Sequence, residues 1–174
     1  MRGFISSSRF KTRMQIRKAT KEDARQIFEI RIAAIRHQCA GHYSKESLDL
    51  WTGGEMSDKF VEWMAAACHV AAIESTILGT GILDLESGQI DAVFVHPDVM
   101  GKGIAQAMMR HLEHLARNAG LAQMKLDSTL NAAAFYRKCG FVGDAVSTYE
   151  SKKGISLDCI PMIKQLSAVE PAIG

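Results

Sequence analysis

The sequence has little proline, few aromatic residues and no long apolar run. Its 174 residues include 3 prolines, and aromatic residues make up 7% of the chain. Scarce proline and the lack of a low-complexity stretch argue against a linker, and an apolar content of 47% suffices for one compact core. No apolar run approaches the roughly 18–20 residues of a membrane-spanning helix, so we expect no membrane partner.

The chain also lacks a large excess of positive or negative charge. The chain carries 21 Lys and Arg residues against 19 Asp and Glu residues, interspersed along its length, for a net charge of +2. Proteins that bind nucleic acid usually carry a concentrated basic surface, so we expect no nucleic-acid partner.

The cysteine and histidine spacings predict neither disulfides nor a metal site. The four cysteines (Cys39, Cys68, Cys139 and Cys159) contain no Cys-x-x-Cys pair. Free cysteines usually pack as small hydrophobic side chains, so the pattern favours a reducing, cytoplasmic location. His111 and His114 are three residues apart, but the sequence offers no third ligand beside them.

Composition divides the chain into three ranges. Residues 1–13 contain four basic residues and no acidic one, which predicts a disordered tail or an upstream extension of the protein. Residues 14–166 are predicted to form the folded domain, and residues 167–174 a short C-terminal tail.

Apolar periodicity predicts an α/β (α+β) domain. Strands are expected at 14–19, 68–74, 77–85, 90–95, 124–127, 141–149 and 155–163, and helices at about 20–39, 44–51, 57–67, 101–119 and 130–139. Strands that first follow one another and are later joined by a long crossover helix predict a mixed, mostly antiparallel sheet of six to seven strands. Helices should cover both faces of that sheet.

The most informative segment is residues 93–105 (VFVHPDVMGKGIA), in which an apolar strand ends at a proline turn and two glycines open a helix. Glycine lets the backbone approach a ligand closely. The first N–H groups of a helix have no intrahelical partner and attract anions. The segment therefore predicts a pyrophosphate-binding loop. The alternative is that Gly101 and Gly103 only shape a tight turn.

Residues 126–141 (LDSTLNAAAFYRKCGF) predict a strand, a short helix and a glycine terminator. The two segments together resemble the GNAT superfamily of N-acetyltransferases, in particular its small, bacterial-type single-domain members. That family shows a Gln/Arg-x-x-Gly-x-Gly/Ala loop, then an Asn-containing stretch and Phe/Leu-Tyr-x-x-x-Gly-Phe. Residues 135–141 fit fully, whereas Met100 departs from the loop pattern by replacing Gln or Arg.

The resemblance implies acetyl-CoA as the co-substrate, no metal, and fourth and fifth strands (90–95 and 124–127) that splay apart. The residues expected to bind CoA are Phe94, Val95, Met100, Gly101, Lys102, Gly103, Ile104, Ala105 and Asn131. Backbone groups of Phe94 and Val95 would meet pantetheine, and the N–H groups of residues 101–105 would hold the pyrophosphate with help from the Lys102 charge. We expect Met100 to weaken binding without abolishing it. Asn131 is five residues before the tyrosine, whereas many relatives place Asn seven before it.

Three residues are candidates for proton transfer. The resemblance implies that Tyr136 protonates the departing CoA thiolate, and the alternative is that it packs in the core with Phe135. A base must deprotonate the amine, and Asp91 is expected to share one strand face with Val93 and Val95. Asp91 could instead be a solvated acid. Histidine as a residue type is suited to proton transfer near neutral pH, but His96 could simply cap the turn.

The expected function is transfer of an acetyl group from acetyl-CoA to a small-molecule amine, by direct attack in a ternary complex. Substrate binding is assigned to His42, Tyr43 and Trp51, since aromatic residues often line small-ligand sites; nearby Trp63 could equally be core. The alternative function is a non-catalytic acyl-CoA-binding sensor. A homodimer is an assembly that the sequence leaves open. The loop lacks the third glycine of the dinucleotide-binding motif, and Lys102 is not part of a P-loop motif.

Overall fold

The computed structural model describes residues 13–151 and 154–166. The predicted tail at 167–174 and all but the last residue of the predicted tail at 1–13 lie outside the described residues. The described residues form seven strands: β1 (Gln15–Lys18), β2 (Cys68–Ile73), β3 (Thr76–Leu83), β4 (Ile90–Val95), β5 (Gln123–Thr129), β6 (Ser147–Glu150) and β7 (Ser156–Gln165). The α-helices are α1 (Ala24–Gln38), α2 (Lys45–Thr52), α3 (Asp58–Ala67), α4 (Ile104–Asn118) and α5 (Ala133–Lys138). The predicted α/β class is confirmed.

The strands form two sheets that separate between β4 and β5. One sheet has the order β1-β2-β3-β4 and the other β5-β7-β6, and every ladder in both is antiparallel. A single parallel bridge, Gln89 to Lys125, joins them among the described residues. It includes a hydrogen bond from the Lys125 N–H to the Gly88 carbonyl (2.9 Å). The two strands thus meet only at their first residues and then splay apart, as predicted.

Apolar residues pack helices on both faces of the four-stranded sheet. On one face, Ile104, Met108 and Leu112 of α4 lie over the sheet in the larger core cluster. On the other face, α1 and α3 contribute a second cluster that includes Ile27 and Met64. The predicted coverage of both faces is confirmed.

The close packing of α4 depends on a glycine in β3. A Cβ added at Gly81 would lie 2.6 Å from Met108 Cγ and 2.7 Å from its sulfur. Because real Cβ atoms do not approach carbon so closely, a larger residue would push α4 away from the sheet. This contact sets the distance between α4 and the sheet, and therefore also the position of the loop at the N-terminus of α4.

The N-terminal helices begin where the sequence places caps. The Ser44 hydroxyl accepts a hydrogen bond from Ser47 N–H (3.1 Å) at the start of α2, and the Ser57 hydroxyl accepts one from Phe60 N–H (3.2 Å) at the start of α3. Each bond satisfies a backbone donor that the helix itself leaves without a partner. Across the described ranges, no helix combines the length and the apolar character that a membrane crossing requires.

The strand predicted at 141–149 is largely absent. Val142 forms a two-bond bridge with Ile163, and the chain then leaves the sheet until β6 begins at Ser147. Arg137 of α5 donates to the Gly143 carbonyl (3.1 Å) and to Asp144 Oδ1 (3.0 Å). These bonds hold the loop at Gly143 and Asp144 against α5. The alternation of apolar residues in the sequence could not indicate such bonds.

Candidate active site

A cleft of about 700 Å³ opens where β4 and β5 separate. We call it the glycine-loop cleft; its walls come from β4, the α4 N-terminus, the end of α1 and the region around α5. The lining residues are His37, Gln38, Val93, Val95, Val99, Met100, Gly101, Gly103, Ile104, Ala105, Gln106, Asn131, Ala132, Phe135, Tyr136 and Lys138. Seven of the nine residues predicted to bind CoA are among them.

The glycine loop presents backbone to an open space. Gly101 and Gly103 have φ angles of +76° and +82°, which L side chains rarely adopt. A Cβ added at either position would meet nothing within 4 Å, so the space above the loop is unfilled by protein. Ala107 N–H donates to the Gly103 carbonyl (3.0 Å) at the start of α4, and the first N–H groups of a helix have no intrahelical partner. This arrangement fits an anionic pyrophosphate.

A glutamine from α1 contacts the first position of the glycine loop. The Gln38 carboxamide lies 3.6 Å from the Met100 sulfur, and both side chains line the glycine-loop cleft. A glutamine amide is therefore present at the loop even though Met100 itself is apolar. Lys102 is exposed beside the loop, outside the lining residues.

Asn131 lines the same cleft and contacts Cys39. The Cys39 thiol lies 3.6 Å from Asn131 Oδ1, and burial raises the pKa of that thiol to about 11. The thiol therefore keeps its proton at neutral pH and can donate it to the amide oxygen. This contact leaves the Asn131 NH₂ group available to a ligand in the cleft.

Tyr136 lies on the cleft wall with its ring fixed by neighbours. The ring packs edge-on against Phe135 (5.2 Å between centroids) and Phe141 (6.0 Å). Withdrawal from solvent, with a smaller contribution from Cys139, raises the pKa of the Tyr136 phenol to about 12. Among the described residues, none accepts a hydrogen bond from this hydroxyl. The side chain is thus packed against its neighbours and also lines the cleft, and its role as an acid stays a prediction.

A second cavity of about 420 Å³ lies on the opposite face of β4. We call it the aromatic cavity, because its walls include Phe28, Tyr43, Trp51, Phe60, Trp63, Phe94 and Tyr149. Its polar lining residues are Arg31, Glu55, Ser57, Thr80, Gln89, Asp91, Asp127, Thr129 and Asp158. Side chains alternate along a strand, so Phe94 faces this cavity while Val93 and Val95 face the glycine-loop cleft.

The expectation that Asp91 shares a face with Val93 and Val95 is wrong. The β3–β4 register pairs Ile82 with Ala92 and Leu83 with Ile90, so Asp91 is an extra residue in a β-bulge. A bulge reverses the alternation locally, and Asp91 lines the aromatic cavity instead. Desolvation, followed by the charge of Asp84, raises the Asp91 pKa above its ordinary value. Its role as a base remains a prediction.

Tyr43 and Trp51 line the aromatic cavity, whereas His42 does not. The Tyr43 hydroxyl donates to the Asp158 carbonyl (2.6 Å) and accepts from Leu130 N–H (3.1 Å). Its ring stands edge-on to Trp51, 6.1 Å away. His42 is exposed outside the cavity lining. Tyr43 therefore holds the cavity together with a hydroxyl that is already hydrogen-bonded.

The structure shows where His96 and Trp63 lie, for each of which the sequence left two alternatives open. His96 Nδ1 accepts a hydrogen bond from Asp98 N–H (3.1 Å) at the turn after β4, and the residue lines neither cavity. It therefore takes the turn-capping role that the sequence left open. Trp63 is 46% exposed and lines the aromatic cavity, so it is a wall residue and not core.

Sequence reasoning missed Arg31, a residue of α1. Arg31 Nη2 donates to the Trp51 carbonyl (2.7 Å), and the residue lines the aromatic cavity. Burial lowers the pKa of its guanidinium. The available signal was a cation directly beside buried Ile30 and three residues before buried Ala34 on an otherwise apolar helix face.

The histidines considered for a metal have other partners. His111 Nε2 lies 2.9 Å from His69 Nδ1, and His114 Nε2 lies 2.9 Å from the Asn118 amide. Within residues 13–151 and 154–166, the structure holds no cluster of three or more potential metal ligands.

Comparisons with known proteins identify the family. Residues 65–143 match the model of the acetyltransferase (GNAT) domain. A protein of rice (Oryza sativa subsp. japonica) named "Probable glucosamine 6-phosphate N-acetyltransferase 2" is 36% identical over 85 residues, which cover 44% of this chain. The match spans about half, 51%, of that curated relative.

Solved structures extend the likeness to most of the chain. A GCN5-related N-acetyltransferase from Rhodopseudomonas palustris superposes with a TM-score of 0.79 at 26% identity, covering 87% of this chain and 95% of its own. The PaiA N-acetyltransferase from Thermoplasma acidophilum, solved with coenzyme A, shares the fold with a TM-score of 0.65 at 17% identity, covering 88% and 99%. Residues 65–143 therefore match the GNAT acetyltransferase domain, and the fold of the described chain is similar to that of GNAT N-acetyltransferases.

Proposed function

We propose that the protein transfers an acetyl group from acetyl-CoA to the amine of a small molecule, by direct attack in a ternary complex. One observation carries the proposal: two cavities flank the splayed part of β4, with the glycine loop on one side and carboxylates on the other. The gap between β4 and β5 is where the two could communicate.

The co-substrate would occupy the glycine-loop cleft. Acetyl-CoA supplies an acyl group activated as a thioester. Here Gly101, Gly103 and the first N–H groups of α4 would hold its pyrophosphate, and the open edge of β4 at Phe94–Val95 would hold its pantetheine. The coenzyme A bound to the PaiA relative supports this assignment.

Asp91 is the proposed base for the acceptor amine. An alkylamine is mostly protonated at neutral pH and must lose a proton before it attacks. Asp91 lines the aromatic cavity, and its raised pKa makes it a stronger proton acceptor than an ordinary aspartate. It would take the proton directly or through one water molecule.

Tyr136 is the proposed acid for the departing thiolate. Burial raises the pKa of the Tyr136 phenol to about 12, so it stays protonated at neutral pH, and the residue lines the glycine-loop cleft. When the new carbon–nitrogen bond forms and the carbon–sulfur bond breaks, Tyr136 would give its proton to sulfur and be reprotonated from solvent. Such a proton transfer typically contributes about 10²–10⁴-fold in rate.

The cofactor assignment is tested by CoA binding, measured by isothermal titration. Gly103→Glu should abolish binding, because a carboxylate would occupy the open space above the loop and repel the pyrophosphate. Gly120→Glu is the matched control: Gly120 ends α4 with a φ of +76° and equally open space. The control places a glutamate at a similar positive φ, and therefore introduces similar backbone strain, at a site far from the loop. Equal CoA affinity in both variants would refute the assignment.

The catalytic assignment is tested with an amine panel, reading release of free thiol from acetyl-CoA. Tyr136→Phe should lower kcat about tenfold or more while leaving CoA affinity unchanged. Phe135→Leu, on the same helix turn, is the packing control. Equal kcat for Tyr136→Phe and the wild type would refute the acid role. A protein that binds CoA yet acetylates no amine would support the sensor alternative instead.

A further inference from the structure

We propose that the acceptor carries a carboxylate as well as an amine, and that Arg31 binds this carboxylate in the aromatic cavity. The inference rests on the proposed function and names the substrate class: a small amino acid with an apolar or aromatic side chain. Arg31 would act as a specificity-determining residue.

Arg31 presents a guanidinium whose hydrogen-bonding capacity is largely unused. It has five N–H donors, and its bond within the described part of the chain runs to the Trp51 carbonyl. No described carboxylate lies within ion-pair distance of it, whereas Arg36 of the same helix pairs with Asp49 at 3.1 Å. A partly buried arginine usually has an anionic partner. A ligand in the cavity can supply that partner.

The charges around the cavity explain why the ligand should be zwitterionic. Arg31 is the one cationic residue among the described lining residues, and Glu55, Asp91, Asp127 and Asp158 line the same cavity. The carboxylates attract an ammonium group, and Asp91 is the proposed base. Arg31 offers a planar, two-pronged site that matches a carboxylate.

The same balance of charge favours a carboxylate over a phosphate. A phosphate monoester carries close to two negative charges at neutral pH, and it would face one guanidinium and four carboxylate residues. A carboxylate carries one negative charge and is matched by Arg31 alone. The apolar part of the ligand is suggested by Phe28, Phe60 and Trp63, whose rings line the wall.

The first test is binding to the CoA complex, measured by isothermal titration with matched probes. The probes are L-phenylalanine, L-methionine, the corresponding amino-acid amides, and 2-aminoethyl phosphate. We expect at least one amino acid to bind about 100-fold more tightly than its amide, since the amide leaves Arg31 without its charged partner. Equal affinity for acid and amide, no binding of either, or tightest binding of the phosphate would overturn the proposal.

The second test uses Arg31→Gln, which keeps hydrogen bonding but removes the charge. The preference for acid over amide should disappear, in binding and in kcat/KM, while CoA affinity stays unchanged. Arg36→Gln, an exposed arginine on the same helix, is the control and should retain the full preference. Retention of the preference in Arg31→Gln would refute the role of Arg31.

The two proposals can fail separately. Arg31-dependent binding without acetylation of any probe would refute the proposed transferase function and support the carboxylate site. Acetylation of amines irrespective of a carboxylate would support the transferase and overturn the further inference.

Discussion

Removing the Tyr43 hydroxyl is the sharpest test of how the aromatic cavity is held together. That hydroxyl connects three elements, since Tyr43 precedes α2, Leu130 follows β5 and Asp158 belongs to β7. Tyr43→Phe keeps the ring and its contact with Trp51 but deletes both hydrogen bonds. The variant therefore separates the tether from the aromatic wall.

The expected loss in the free energy of unfolding follows from the two hydrogen bonds of the Tyr43 hydroxyl. Each intramolecular hydrogen bond contributes about 0.5–1.5 kcal/mol, so together they contribute ~1–3 kcal/mol to the free energy of unfolding. Asp158 is exposed, and water can replace part of what its carbonyl loses. We therefore expect a loss of about 1–2 kcal/mol by urea denaturation. For a chain of this size, that corresponds to a fall in Tm of about 2–8 °C.

Tyr149→Phe is the control, because Tyr149 also lines the aromatic cavity and is 48% exposed. It should change the free energy of unfolding by less than about 0.5 kcal/mol. The affinity for CoA should stay the same in both variants, since the glycine loop lies on the other face of β4. If Tyr43→Phe unfolded at the same urea concentration as the wild type, the tethering role would be refuted.

Two further predictions concern stability. Gly81→Ala should lower the free energy of unfolding by about 1–3 kcal/mol in urea titrations, because its Cβ would overlap Met108; an unchanged midpoint would contradict this. Arg17, bonded to Asp23 at 2.7 and 3.0 Å, lowers the pKa of Asp23 below 3.8. The resulting stabilisation is complete above that ordinary value and is lost as pH falls through the lower, folded-state pKa. Asp23→Asn should thus destabilise the protein at pH 7 by ~1–3 kcal/mol and flatten the acid limb of its stability curve; an unchanged limb would contradict the pairing.

The local features of this fold were predictable because short-range physical chemistry determines them. A serine ahead of an apolar helical repeat caps that helix wherever it lies, so the starts of α2 and α3 were within reach of sequence reasoning. The glycines of the loop follow the same logic, since their positive φ angles exclude other residues. Tyr136 came from the family resemblance, and its place on the cleft wall agrees with that assignment.

The structure brings together only part of the predicted N-terminal site, because a residue's neighbours in the chain do not determine which way it faces. His42 and Tyr43 are adjacent in sequence, yet only Tyr43 lines the aromatic cavity. Arg31 follows buried Ile30 on α1, and only the structure shows that it bonds to the Trp51 carbonyl and lines the aromatic cavity.

Sequence alone determined most of the elements, the glycine loop and the family resemblance, since each depends on contacts within a few residues or on a motif. Only the tertiary structure decided which face of β4 each side chain occupies. One extra residue in the pairing with β3 moves Asp91 to the aromatic cavity, and strand periodicity carries no sign of it. The physical reason is that register is a property of two strands together, and so it cannot be read from one.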